Sequence, residues 1–456
     1  MFSLSQNYLT RGFWGDEAWT SLISQLPFQQ MLKTTAADFH PPGYYTIVEL
    51  VYKFLPPTEI ITRSISIIFY LLTVFLVYKL ASEIKGRMFG LISAVVVLVN
   101  PIFFTYAFEA RNYTMFAFAA TGSIYCLIKL SSVLGSRFSE NKPQKTDNRK
   151  RLWTLFVLFS TLGIYTHYYM FFILAAQGLY LILFDRKILL RMIWAYAVVA
   201  VLYFPWIPFL EKQVTSVGQS YWIGAVDRRT HFEALLRILG GENKNILRPF
   251  LFWLSLTLIA VGLAQHIRQK SFERSYRLVW LWAVVPFILA TLPGLAIDGF
   301  KLPFRPIFFW RYLIGSSVPI SLIIVHASQK LPKNLFKLSM VAIVVLGVAI
   351  DGLTFNRSPY TFREAYREKV LGKIKATDKI VTVLPSFAEV LYYRNRNNLN
   401  NELIVLPEGL VQFSGKSLLD AYNANGKVKI DKAPNGRYFE LRPGPSIVKI
   451  ESQSFD

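Results

Sequence analysis

Apolar residues recur along this chain in runs close to the roughly 20 residues that a helix needs to cross a bilayer. About ten runs qualify, near 60–80, 88–104, 112–133, 152–168, 170–184, 192–210, 248–266, 278–296, 312–327 and 335–351. The pattern predicts a mainly α, polytopic transmembrane helix bundle. Basic residues collect between alternate runs. Lys85 and Arg87 lie in one loop, and Arg137, Lys142, Lys145, Arg149, Lys150 and Arg151 in the next. Arg186, Lys187 and Arg191 follow, then Arg268, Lys270, Arg274 and Arg277, then Lys330 and Lys333. If the helices alternate in direction, all of these fall on one side, which the positive-inside rule makes cytoplasmic. The opposite side receives 1–59, 105–111, 211–247, 297–311 and everything after 354.

The pattern changes after residue 353, and the sequence divides into a membrane bundle over 1–353 and a small extracytoplasmic α/β domain over 354–456. Arg363–Ile374 has helical spacing, and Lys379–Leu384 is a β-branched run before the helix-like stretch Ser386–Tyr393. Leu403–Leu406, Tyr438–Leu441 and Ile447–Ile450 read as strands, with a turn at Pro443-Gly444-Pro445. Near the start, Pro41-Pro42 predicts the first turn of an amphipathic helix over about 43–54, since proline's missing N–H is an orphan there anyway. Residues 1–22 contain neither a spanning helix nor a signal peptide. With ten spans and an outer tail the N-terminus would also be outer; the expectation is a further helix upstream of Met1, the alternatives being that segment 44–54 dips into the membrane or that the first helix inserts unaided.

Composition sharpens this reading. Of 456 residues 53% are hydrophobic, 17% are charged and 16% are aromatic, and mean hydropathy is +0.35. Soluble domains carry about 25% charged residues. The net charge of +22, from 50 Lys+Arg against 28 Asp+Glu, suits basic loops meeting anionic lipid. No nucleic-acid-binding motif accompanies it. The single cysteine, Cys126, excludes an internal disulfide framework or a thiolate metal cluster.

Unusual polar residues lie on the expected outer side. Asp16 and Glu17 sit between Trp14 and Trp19; a carboxylate under aromatics can act as a general base, or the pair can simply face water. Asp38 and His40 precede the helix led by Pro41-Pro42 and carrying Tyr44 and Tyr45. Together with Glu109 they offer oxygen and imidazole ligands for a divalent metal, or they form a turn. Glu109-Ala110-Arg111 and Tyr113 lie at a helix hairpin. Arg111 presents a planar fork that suits phosphate oxygens, or forms a structural pair with Glu109. His167 stands among aromatics in a second hairpin, as ligand or packing residue. Arg305 and Arg311 begin a later helix, where Arg311 could meet phosphate or snorkel.

The order Asp16-Glu17, Asp38…His40-Pro41-Pro42…Tyr44-Tyr45, Glu109-Ala110-Arg111…Tyr113 resembles bacterial relatives of the protein O-mannosyltransferases and of the lipid A aminoarabinose transferase, membrane glycosyltransferases of the type-C fold. Thr62-Arg63-Ser64 and Tyr78-Lys79-Leu80 fall at a second-helix signature of that family. Thr166–Tyr169, Arg311-Tyr312-Leu313 and Tyr360–Ala365 are similar to its later landmarks. The match covers most of the chain and is most specific over 14–113. The family has a spanning helix before its acidic loop, which this sequence lacks.

The resemblance implies an enzyme of the inner (plasma) membrane that moves a sugar from a polyprenyl-phosphate-linked donor to an acceptor on the outer face. Asp16 would be the base, with Glu17 supporting it or touching the acceptor. Arg111 and Arg311 would hold the donor phosphate. Asp38, His40, Glu109, Tyr44, Tyr113 and His167 would shape the substrate site, and the first three could hold a divalent metal, the one cofactor the residues suggest. Two other readings compete. A transporter or lipid-linked sugar flippase would place polar residues at mid-membrane in broken helices. An inactive binding subunit would retain the fold without turnover.

Overall fold

In the computed structural model the described residues are 7–135, 146–219, 223–224, 226–269, 274–294, 296–297, 300–301, 306–408, 415–434, 436–444 and 448–452. Three short helices open the chain: α1 (Gly15–Ile23), α2 (Phe28–Ala36) and α3 (Gly43–Tyr52). The helices of the bundle follow: α4 (Glu59–Lys85), α5 (Arg87–Leu98), the short α6 (Pro101–Ala107), α7 (Tyr113–Gly135), α8 (Thr146–Thr166), α9 (Met170–Phe184) and α10 (Arg186–Tyr203). Then come α11 (Ile207–Gln219), α12 (Arg228–Gly240), α13 (Arg248–Gln269), α14 (Arg274–Thr291), α15 (Ile314–Ser328) and α16 (Lys333–Phe355). A two-stranded hairpin, β1 (Ala296–Ile297) and β2 (Phe300–Lys301), precedes α15.

Among the described residues seven helices are long and apolar enough to cross a membrane: α4, α7, α10 running on into α11, α13, α14, α15 and α16. An eighth span arises if α5 and α6 count as one, bent by 63° between them. The sequence read residues 88–104 as one straight run. Asn100 caps the new helix by accepting from the Phe103 N–H at 3.2 Å, and Pro101 occupies its first turn. The two remaining expected spans are helices of another kind. Apolar α9 has 15 residues, and α8 carries Arg149, Lys150 and Arg151 near its start. Arg137, Lys142, Lys145 and Lys270 lie outside the described residues, and the described flanks of the basic loops meet at one end of the bundle. There Lys129 pairs with Glu83 at 2.7 Å, Ser131 bonds Asp185, and Arg277 covers the Phe184 ring at 4.8 Å.

At the other end sits a five-stranded sheet in the order β5-β4-β3-β6-β7. Its strands are β3 (Lys379–Val383), β4 (Leu403–Leu406), β5 (Lys429–Ile430), β6 (Arg437–Leu441) and β7 (Val448–Ser452). β3 pairs parallel to β4 (Ile380↔Leu403) and to β6 (Ile380↔Phe439), β5 pairs parallel to β4, and β7 pairs antiparallel to β6. Helices α17 (Phe362–Ala365), α18 (Phe387–Arg396) and α19 (Lys416–Ala424) accompany the sheet.

This unit is not a detached tail. Ile380, Val405 and Phe439 of the sheet and Phe387 and Leu391 of α18 share one buried cluster with Phe13, Leu22, Tyr44 and Ile65. Polar bonds fix the same contact. The Tyr393 hydroxyl accepts from the Phe13 N–H at 2.7 Å and donates to Glu59 Oε1 at 2.9 Å. Arg396 pairs with Glu59 at 2.8 Å, and the Tyr422 hydroxyl donates to the Leu22 carbonyl at 3.0 Å. A Cβ at Gly12 would collide with Thr361 Oγ1 and lie 2.9 Å from the Tyr393 hydroxyl.

Candidate active site

The site is organised around a buried ion pair. Glu17 is the third residue of α1, and its side chain reaches back to the Trp14 N–H at 3.5 Å. It has 0% exposure. Arg63, from the first turns of α4, grips it with two N–H bonds: Nε to Oε1 at 2.8 Å and Nη2 to Oε2 at 2.6 Å. The same guanidinium donates to the carbonyls of Leu9, Arg11 and Gly12 at 2.7, 2.6 and 3.1 Å. Glu17 Oε1 also accepts the Ala110 N–H at 2.9 Å, and Arg11 Nη2 lies 3.6 Å from Oε2. Burial alone would push this carboxyl up; Arg11, Arg63 and the hydrogen bonds bring it below its ordinary value instead. The node ties the α1 loop, α4 and the 109–111 loop together.

The neighbouring carboxylate has the opposite fate. One helical step is about 100°, so Asp16 points away from the node, and its side chain is 43% exposed. Two guanidiniums flank it: Arg111 Nη2 at 3.9 Å and Arg311 Nη1 at 3.6 Å from Oδ2. These are ion-pair distances, longer than hydrogen bonds. Arg111 is 4% exposed. Its Nη1 lies 3.4 Å from both the Asp16 carbonyl and Thr20 Oγ1, and its Nη2 lies 3.3 Å from His40 Nε2. Arg311 stacks on Phe309 at 4.8 Å and on Trp14 at 5.6 Å. The Nε atoms of Arg111 and Arg311 are buried without a hydrogen-bond partner.

Behind Arg111, His40 Nδ1 lies 3.1 Å from Asp38 Oδ2. A guanidinium can only donate, so His40 Nε2 is the acceptor and the ring proton sits on Nδ1, facing Asp38. Asp38, His40, Arg111, Asp16 and Arg311 thus form one continuous polar chain drawn from four stretches of sequence.

Other expected site residues lie elsewhere. Tyr44 is fully buried; its hydroxyl bonds Ser66 Oγ at 2.8 Å, and Ser66 donates to the Arg111 carbonyl at 3.1 Å. It therefore supports the Arg111 loop from behind. His167 Nδ1 accepts the Tyr169 N–H at 3.1 Å, and its ring stacks on Phe116 at 5.0 Å. Burial, with His40 and Arg111 nearby, drives it down to about 3, so it is a neutral packing residue. Tyr113 is buried edge-on against Tyr106 at 4.8 Å.

Glu109 accepts from the Tyr8 hydroxyl at 3.1 Å and lies 4.0 Å from Arg11. Burial raises its carboxyl to about 7, against the pull of Arg11 and Arg311. The metal set expected from Asp38, His40 and Glu109 does not converge, because Arg111 occupies the open side of His40 and Tyr8 and Arg11 engage Glu109. Among the described residues no group of three His, Cys, Asp or Glu is placed to hold an ion. Arg305 lies outside the described residues.

Sequence reasoning passed over Arg11 and the role of Arg63. The signal was present: an arginine within an apolar span needs a buried counter-charge. Glu59 and Glu389, which meet or sit in the C-terminal unit, gave no local signal.

This geometry sits on a known architecture. The structure of ArnT from Cupriavidus metallidurans in the apo state superposes with a TM-score of 0.62 at 12% identity, over 95% of this chain and 90% of that one. The same protein bound to undecaprenyl phosphate gives 0.61 at 10% identity, over 96% and 91%. The archaeal oligosaccharyltransferase AglB from Archaeoglobus fulgidus, in complex with an inhibitory peptide and a dolichol-phosphate, gives 0.54 at 12% identity, over 94% of this chain and 66% of that one. The chain has the type-C glycosyltransferase fold, a multi-pass membrane bundle with a small α/β domain. Within it, residues 39–210 match the family described as dolichyl-phosphate-mannose-protein mannosyltransferase. No curated protein sequence matches the chain.

Proposed function

We propose that this protein is a membrane glycosyltransferase that moves a sugar from a polyprenyl-phosphate-linked donor to an acceptor at the membrane face carrying the C-terminal domain. One observation carries the reading: Asp16, open to solvent, stands between two arginines that each keep a buried N–H without a partner. Fold and family likeness agree with it, as do the undecaprenyl phosphate and dolichol-phosphate bound by ArnT and AglB.

Arg111 and Arg311 would take the donor phosphate. A phosphate entering between them competes with Asp16 for the guanidiniums and frees its carboxylate. Asp16 then accepts the proton of the acceptor hydroxyl as that oxygen bonds the anomeric carbon. The bond from that carbon to the phosphate oxygen breaks, and its electron pair leaves on the phosphate. The transition state is oxocarbenium-like, so one base and a stabilised leaving group suffice for a single displacement. His40, held by Asp38, would fix Arg111. Glu17 would act only as an anchor.

The basic loops at the far end of the bundle favour placing that end in the cytoplasm, with the C-terminal domain outside the plasma membrane. The transporter reading asks for polar groups at mid-membrane. Asp351, buried in α16, lies about one turn before that helix ends at Phe355, and the charged cluster gathers at one end.

Thermal unfolding of purified protein with undecaprenyl phosphate tests the phosphate site. The wild type should be stabilised by about 2.7 kcal/mol at a hundredfold excess over Kd, and the Arg111→Ala, Arg311→Ala double variant should lose that shift. An equal shift in both would remove the arginines from the site.

A further inference from the structure

Glu389 opens a question that the lipid-phosphate site leaves unanswered. It lies in the first turn of α18, in the C-terminal domain, yet its carboxyl reaches the first turn of α1. Both of its oxygens lie within 3.7 Å of the place a Cβ on Gly15 would take. The Gly15 N–H is one of the donors left open at the start of α1, and this carboxyl is the acidic group set against it. Oε2 is buried without a hydrogen-bond partner. The next residue along α1 is Asp16.

We infer that Glu389 is a positioning residue of the candidate active site: it caps α1 from the other domain and sets the charge beside Asp16, so that the Asp16 loop is competent only when the C-terminal domain is docked. The inference rests on the glycosyltransferase reading for what Asp16 does, but not for the contact itself.

The charge relations are specific. The elements packed on α18 are α1, α17, β3 and the turn Leu384–Ser386. They carry Asp16, Glu17, Arg363, Glu364 and Lys379, and Glu59 of α4 also meets α18, where Tyr393 and Arg396 engage it. Glu17 is taken by Arg63, Arg363 and Glu364 pair with each other, and Lys379 pairs with Glu402. Asp16 alone among them acts on Glu389. Burial first, with Asp16 adding to it, raises the Glu389 carboxyl to about 8, against its own backbone N–H and that of Gly15. At neutral pH one carboxyl of the neighbouring pair is therefore protonated. Its ionisation would set a second negative charge against Asp16 and loosen the docked loop. A group raised in the folded state stabilises fully below its ordinary value and loses that contribution as pH rises through about 8.

Hydrogen exchange on the full chain tests this without any substrate. The reporters are the amides of Glu17 and Ala18, which bond the Trp14 carbonyl at 2.8 and 3.0 Å; α7 amides serve as the folding control. In Glu389→Ala these reporters should exchange about fivefold faster, the scale of losing one N-cap. In wild type their protection, corrected for intrinsic rate, should fall as pH rises from about 4.5 through about 8 and level off above; in Glu389→Gln it should be flat over that window. In the transfer assay Glu389→Gln should flatten the alkaline limb of kcat and leave the donor KM unchanged. Unchanged exchange in Glu389→Ala, or the same pH slope in wild type and Glu389→Gln, overturns the inference. A wild type that transfers no sugar overturns the functional reading instead, and the exchange experiment still decides the contact.

Discussion

Asp16 and Glu17 are adjacent carboxylates that the structure assigns to different work, and substituting each separates structure from chemistry. Glu17→Gln preserves shape but removes the charge that balances Arg63 and Arg11, both buried. Arg63 keeps its three backbone carbonyls but loses a two-point ionic grip at 2.8 and 2.6 Å. Removing one member of a buried ion pair costs about 3–5 kcal/mol, because the other charge is left uncompensated out of water. On a scale of about 2–4 °C per kcal/mol, Tm should fall by roughly 6–20 °C. Asp16→Asn changes a side chain that is 43% exposed, and surface substitutions usually stay within about 0.5 kcal/mol. Its Tm should move by no more than roughly 2 °C. The assay is thermal unfolding of both purified variants in the same detergent, followed by intrinsic tryptophan fluorescence. If Glu17→Gln unfolds with the wild type, the ion pair does not hold these loops together and the separation of roles is wrong.

Other consequences can be measured directly. Arg111→Lys should cut turnover by at least tenfold, since one ammonium cannot meet Asp16, Thr20 and His40 together; the steady-state rate checks it. Glu109→Gln should become more stable relative to wild type as pH rises from about 4.5 through about 7 and level off above, because a raised carboxyl loses its stabilising contribution over that window; paired melting curves across pH would show the crossover. Gly12→Ala, which sets a Cβ against Thr361 and Tyr393, should cost about 1–3 kcal/mol and speed limited proteolysis between Asn356 and Thr361 while the bundle stays intact.

Much of the architecture is legible in the sequence because the bilayer imposes a length. Runs such as Glu59–Lys85 and Lys333–Phe355 announce themselves by hydropathy alone. Pro41-Pro42 fixes the start of α3 at Gly43 for a local reason, the orphan N–H at a helix start. Direction is another matter. Hydropathy cannot report the 63° turn between α5 and α6, although Asn100-Pro101 carried the capping signal.

The site divides in the same way. Asp16, Arg111, Arg311, Asp38 and His40 could be gathered because each is a costly polar residue at a helix end. Exposure could not be assigned. Asp16 and Glu17 differ by one step of α1, a nine-residue helix that no apolar run announces, and that step sends one to solvent and the other to Arg63. Tyr44 and His167 look like ligands in sequence but are buried against Ser66 of α4, Phe116 of α7 and Tyr312, contacts that no local pattern announces. The docking of Glu59 on Tyr393 and of Glu389 on Gly15 spans more than 300 residues and leaves no periodic trace.

The central claim is that Asp16 takes the acceptor proton while Arg111 and Arg311 hold the departing phosphate. It is tested most directly by transfer of labelled sugar from a panel of polyprenyl-phosphate donors, in membranes carrying equal amounts of wild type or Asp16→Asn. The account predicts that the wild type consumes one donor and that the variant, folded and still able to bind undecaprenyl phosphate, is slower by about 10²–10⁴-fold. Equal consumption by the two proteins would contradict it.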